Sequence, residues 1–238
     1  MLTRLKFFLD KNQRLKKFVL FFYENTIGKY NFYKENKNFK KYNEQTLQSL
    51  DKVFKELKCD YWLDFGTLLG AVRENNFIEH DCDIDVGMWL TDYSTQLHSI
   101  FEKYGFKKIR DIKIDNGQYG LELTYQINNI NVDIFFYTKI DDNYAYYHDF
   151  IPENGMSRIG TIQKLGGLVV REISLPISSI GSISFKNENY PIPEPVVDHL
   201  IGRYGEGYKV KDSNWSITKG NQDSVKILSD KVGVISYY

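Results

Sequence analysis

Cysteine is scarce: Cys59 and Cys82 are the two in 238 residues, too few for a disulfide framework, and a chain of this length buries enough surface to fold without one. A reducing compartment is therefore expected. Four histidines leave too few nitrogen and sulfur ligands for a convincing zinc cluster. Five prolines build no Pro-rich linker, and repeats and low-complexity tracts are absent, so one large α/β domain is expected. Long apolar runs are missing as well. The purest near the start, Phe18 to Tyr23, is too short to cross a bilayer, and no N-terminal stretch joins an apolar core to a small-residue cleavage site. These absences together lead to the expectation of a cytoplasmic protein.

Net charge is the last thing lacking, at a formal zero, but the balance is uneven. Residues 1–45 carry 11 Lys or Arg against 4 Asp or Glu, so the remainder is acidic by the same margin. Within that basic stretch Leu2, Leu5, Phe8, Leu9, Leu15, Phe18, Val19 and Phe22 recur at roughly helical spacing. The pattern fits a helix lying on an anionic surface such as the inner leaflet of a membrane, and equally a helix packed on the domain with a solvated basic face. Residues 31–43, rich in Asn, Lys and Tyr, read as a hinge. The expected division is a basic amphipathic helical extension over 1–44 and the main domain over 45–238.

Along that domain, Leu47, Leu50, Val53, Phe54 and Leu57 form one helical stripe, followed by a short strand at Tyr61–Phe65 that Gly66 ends. Thr67 to Arg73 reads as a helix opening at a Gly-Thr turn, and Asp83 to Leu90 as a strand in which apolar and acidic residues alternate. A helix carrying Leu97, Ile100, Phe101 and Tyr104 stops at Gly105. Strands are expected at 106–112, 121–127 and 130–138, and a late helix at 195–204, reached through Pro191, Pro193 and Pro195. The stretch 143–171 has no clear pattern. Strands that follow strands directly predict a mixed α/β fold of the α+β type with an antiparallel component.

Chemistry concentrates in GTLLGAVR (66–73), DCDIDVG (81–87) and NVDIFF (131–136). Residues i and i+2 of a strand share a face, so Asp83 and Asp85 present adjacent carboxylates whose repulsion calls for a cation. If the strand of Asp133 lies alongside, a third carboxylate completes an all-oxygen set that suits Mg²⁺ or Mn²⁺. An apolar run such as Ile130–Tyr137 has no structural use for a lone Asp133, because burying an unpaired carboxylate is costly. A metal so held neutralises charge on a transferring phosphoryl group. The Gly-Thr turn offers a complementary half: Gly66 for close approach of backbone, the Thr67 hydroxyl and helix-start N–H groups as donors, and Arg73 as a bidentate clamp.

These motifs resemble the LicD/fukutin family of the nucleotidyltransferase-fold superfamily, whose members carry a Gly-Thr-Leu-Leu-Gly-x-x-Arg stretch and then Asp-x-Asp-x-Asp. The C-terminal YPIPEPVVDHLIGRYG (190–205) is similar too. The resemblance implies a nucleotidyltransferase-like mixed sheet flanked by helices. It also implies transfer of a phospho-alcohol group, of phosphocholine or polyol phosphate type, from a CDP-linked donor to a sugar hydroxyl of a cell-surface glycan such as lipopolysaccharide, capsule or teichoic acid, releasing CMP. By that similarity Asp83, Asp85 and Asp133 are the metal ligands, with Asp133 also able to orient or deprotonate the acceptor, and Gly66, Thr67 and Arg73 hold donor phosphates. Cys82 stands where many relatives have aspartate, and on an alternating strand it faces away from the ligands. Asp81 is assigned a supporting role beside them, and His80 that of a hydrogen-bonding neighbour. Lys164, Arg171 and Arg203 are open between a diphosphate contact and plain solvation. A lipid-linked glycan acceptor at the inner leaflet suits the basic N-terminus, and no nucleic-acid partner is expected. The alternatives are a glycosyltransferase using Asp-x-Asp, a nucleotidyltransferase releasing pyrophosphate, and a membrane-associated scaffold.

Overall fold

The computed structural model describes residues 27–212 and 222–238; the apolar-basic pattern over residues 2–22 lies outside them. Helix α1 (Lys29–Leu57) buries Phe39, Leu47, Leu50, Val53 and Phe54 along one side. It runs unbroken through residue 44, so the hinge expected at 31–43 is helix. Lysine and asparagine there read as loop composition, yet Phe39 packs edge-on to Phe77 with ring centroids 5.3 Å apart, and the Asn36 amide donates to the carbonyls of Glu79 and Asp81. Tertiary anchors of this kind outweigh a weak local preference.

Strand β1 (Tyr61–Leu63) stops two residues short of the expected end. Asp64 accepts a hydrogen bond from the Phe65 N–H and caps α2 (Phe65–Glu74), so the helix opens ahead of the Gly-Thr pair. Then follow β2 (Asp83–Trp89), α3 (Gln96–Lys103), β3 (Lys107–Ile114), β4 (Gly120–Ile127) and β5 (Ile130–Lys139), close to the predicted spans. The unpatterned stretch resolves into β6 (Tyr144–Ile151), α4 (Arg158–Leu165) and the start of β7 (Leu168–Pro176). A hairpin of β8 (Ser179–Phe185) and β9 (Glu188–Glu194) takes in Pro191 and Pro193 and leads to α5 (Val196–Tyr204); β10 (Val225–Tyr237) ends the chain.

Eight strands form one mixed sheet in the order β1-β2-β5-β4-β3-β10-β7-β6, and β5 pairs with β6 as well, so that six of them close into a ring. The β2–β5 pair is parallel; the other pairings are antiparallel. Ile84, Val86 and Met88 of β2, and Val132, Ile134 and Phe136 of β5, pack with α1, α2 and α3 into the main core. Alternation sends Asp83, Asp85 and Asp133 to the opposite face. Gly87 lies under the Trp62 indole, where a Cβ would come within 2.2 Å of Nε1. Both cysteines are free thiols, and no described helix is long and apolar enough to cross a membrane.

Candidate metal centre and adjoining cleft

The parallel register sets Asp85 directly opposite Asp133, with Asp83 two residues back along β2. One oxygen from each of the three carboxylates lies within 4.8 Å of the others. Sequence spacing placed two of them together; strand pairing adds the third. The row continues across the sheet, since Thr124 on β4 pairs with Asp133 and Arg110 on β3 pairs with Thr124. Thr124 donates its hydroxyl to Asp133 Oδ1. Arg110 Nε donates to Thr124 Oγ1 at 2.8 Å, while its Nη2 reaches Glu122 at 2.8 Å and Asp133 Oδ1 at 3.5 Å. Arg110, Thr124 and Glu122 are site neighbours that sequence reasoning missed. Their signal is a cross-strand register, which no local pattern encodes.

Burial sets the electrostatics. It pushes the Asp83 carboxyl up to about 6, with the charge of Asp133 adding to the effect and Arg110 opposing it. Asp85 is raised well above the ordinary carboxylate range by burial first and then by Asp83 and Asp133. Asp133 is raised by burial although Arg110 and Thr124 pull it down, and Glu122 rises to about 7 by burial and the nearby Asp133. Three carboxylates that resist joint ionisation form an oxygen-only set that can hold a metal ion.

Beside this cluster opens a cleft of about 600 Å³ whose lining includes Asp85, Asp81, Gly66, Arg73, Arg203 and Tyr204. Gly66 sits close against this wall, where a Cβ would come 3.0 Å from Asp81 Oδ2. Asp81 therefore lies at the cleft wall next to the turn, and burial with the charges of Asp83 and Glu74 pushes its carboxyl up to about 7. His80 is exposed at the same wall.

Two expected phosphate ligands are placed differently. Thr67 is buried and its hydroxyl accepts the Asp85 N–H at 3.0 Å; it holds the metal-site strand and does not line the cleft. Arg73 does line the cleft, but its Nε and Nη2 are engaged by Glu74 and its Nη1 by the Tyr208 carbonyl. Of the late basic residues, Lys164 pairs with Glu153 and Arg171 forms a buried bidentate pair with Asp149. Arg203 alone of the three lines the cleft, with its guanidinium 4.6 Å from the centre of the Phe65 ring.

A buried polar network fixes that wall. Asp64 accepts from the Tyr137 hydroxyl at 2.6 Å and pairs with His199 Nε2 at 3.2 Å, while His199 Nδ1 meets the Pro176 carbonyl at 3.1 Å. His199 and Arg203 are one turn apart on α5, so both dock on the first residues of α2.

Residues 58–162 match the family described as LicD/FKTN/FKRP, nucleotidyltransferase domain. That segment is a LicD-family domain. The LicD match takes in all three clustered aspartates and the Gly66–Arg73 helix, and it ends before Tyr190–Gly205. Ribitol-5-phosphate transferase FKTN of Mus musculus is 27% identical over 184 residues, which is 74% of this chain and 35% of that protein; the Homo sapiens protein of the same name is 24% identical with the same coverage. An uncharacterized protein of Rickettsia typhi is 28% identical over 156 residues, 62% of this chain and 45% of that one. The chain thus spans about a third of the length of the ribitol-5-phosphate transferases it matches.

Proposed function

We propose that the chain transfers a phospho-alcohol group, of the phosphocholine or polyol phosphate type, from a CDP-linked donor to a sugar hydroxyl of a glycan or lipid-linked glycan, releasing CMP. The observation that carries this reading is the aspartate cluster of β2 and β5, whose Asp85 lines a cleft with cationic and aromatic walls. Relatives named for ribitol-5-phosphate transfer support the polyol phosphate class.

Asp83, Asp85 and Asp133 would hold Mg²⁺ or Mn²⁺, which supplies positive charge against the donor's diphosphate. The chain's own residues do the rest. Gly66 lets backbone approach a phosphate, Arg203 brings a guanidinium fixed over Phe65, and Tyr204 and Tyr208 give flat surfaces for the nucleoside. Thr67 holds Asp85 in register, and Thr124 with Arg110 holds Asp133. With Oδ1 of Asp133 so engaged, its part is that of a ligand rather than a base.

Nucleotide release by the purified protein from a panel of CDP-linked alcohols and nucleotide sugars, with Mg²⁺ or with EDTA, tests the proposal. CMP released from one CDP-alcohol in a metal-dependent manner, and lost in Asp83→Ala, is expected. Pyrophosphate as product would mark a nucleotidyltransferase, and UDP or GDP from a nucleotide sugar a glycosyltransferase; either overturns it.

A further inference from the structure

The half of α1 that precedes its packed segment presents an outward face with no counterpart in the catalytic cleft. Tyr30, Lys34, Lys37 and Lys41 follow a spacing of four, three and four residues, which sets them on one stripe of the helix. Ile27 and Tyr33 flank it. Tyr30 is 69% exposed, Tyr33 64% and Ile27 55%, and Lys29, Lys34, Lys37, Lys40 and Lys41 are exposed with them. Between Ile27 and Lys41 the one acidic residue is Glu35. None of Lys29, Lys34, Lys37 and Lys40 pairs with the carboxylate of a described residue. The direction of the face is fixed by its reverse side, where Phe39 is buried and Asn36 holds the carbonyls of Glu79 and Asp81.

From this geometry we infer that the Tyr30–Lys41 stripe of α1 docks the protein on an anionic lipid surface. Lysines supply the attraction to acidic headgroups, and tyrosines with Ile27 supply amphipathic and apolar groups that settle at headgroup depth. Residues 1–26 are a poorer occupant of the same face, since they carry six Lys or Arg against two acidic residues and like charges repel. An aromatic-lysine stripe also differs from a solvated helix face, which has no use for two exposed tyrosines in register with the cations. Because Asn36 ties the helix to the loop that carries Asp81, a docked α1 sets the cleft rim about one helix diameter, roughly 10 Å, from the lipid. A lipid-linked acceptor would meet the cleft at that rim. The docking itself does not depend on the catalytic reading.

Co-sedimentation of the full chain with phosphatidylglycerol-containing vesicles, against pure phosphatidylcholine vesicles, tests this. Partition onto the anionic vesicles alone is expected, falling about fivefold for each lysine neutralised and falling at least about 100-fold in Lys34→Glu/Lys37→Glu/Lys41→Glu. These side chains are exposed, so circular dichroism and the thermal midpoint should stay at wild-type values. In Tyr33→Trp the indole emission should shift to the blue on anionic vesicles. Equal partition onto both vesicle types, undiminished binding of the triple variant, an unshifted indole, or concentration-dependent self-association of the chain that the triple variant abolishes, would each overturn the assignment.

Discussion

Asp85 on β2 stands directly across from Asp133 on β5 in the parallel pair of the sheet, so two residues 48 positions apart in the chain share one face with Asp83. Their proximity opposes joint ionisation, because each carboxylate is desolvated beside the others and Arg110 offsets only part of that cost. Added Mg²⁺ or Mn²⁺ should therefore raise the thermal midpoint, by about 2.7 kcal/mol of stability at a hundredfold excess over the dissociation constant. Asp85→Asn should remove that metal dependence while leaving the metal-free protein as stable as wild type or more so. Differential scanning calorimetry with titrated metal reads both; a metal shift that survives in the variant would take Asp85 out of the ligand set.

Thr124 and Arg110 both engage Oδ1 of Asp133, and among the described residues Oδ2 accepts no hydrogen bond. One oxygen is held and the other is left for a cation. Thr124→Val keeps the shape and removes the hydroxyl, so divalent-metal affinity should fall by about 10- to 100-fold, the usual effect of losing a residue that orients a ligand. Calorimetric titration of Mn²⁺ measures it, and an unchanged affinity would show that the Asp133 carboxylate is oriented by strand geometry alone.

The Asp64 carboxylate joins three elements, through the Phe65 N–H, the Tyr137 hydroxyl and His199. Asp64→Ala leaves those groups buried without a partner, and urea unfolding should register a loss of about 3–5 kcal/mol. Tyr137→Phe removes one bond and should cost about 1–3 kcal/mol. Similar small losses in both variants would mean that the network is relieved by water.

His148 is buried, its Nε2 has no hydrogen-bond partner among the described residues, and the Glu172 carboxylate lies 3.7 Å away. Burial pushes its imidazole down to about 4 from an ordinary 6.5. The folded state thus holds the ring neutral, so the stability it contributes is complete above 6.5 and is lost as pH falls from there toward 4. By pH 5 the loss should be about 2 kcal/mol relative to neutral pH. His148→Gln should flatten that part of the wild-type pH–stability curve, measured by urea midpoints; parallel curves would assign the acid sensitivity to other groups.

Local patterning alone determined much of this protein. Alternation along 83–89 and 130–139, the stripe of Leu47, Leu50, Val53 and Phe54, and the pairing of Asp83 with Asp85 are all short-range, and a period of two or 3.6 residues is visible wherever one face is buried. The motif around Gly66–Arg73 likewise pointed to the helix that borders the cleft. Composition misled at 31–43, where the anchors Phe39 and Asn36 make helix out of a loop-like stretch. It was silent on β6 and β7, and on β10, whose partners β3 and β7 lie far back in the chain.

Only the tertiary structure decided that Thr67 turns inward to Asp85, that Arg110 and Thr124 complete the row beginning at Asp85 and Asp133, and that Arg203 and His199 dock on the start of α2. The reason is common to all of them. The packing of a helix on a sheet selects which of its side chains face inward, and a sheet register brings together residues tens of positions apart, so the partner of a polar group is set by long-range pairing that no local window of the sequence contains.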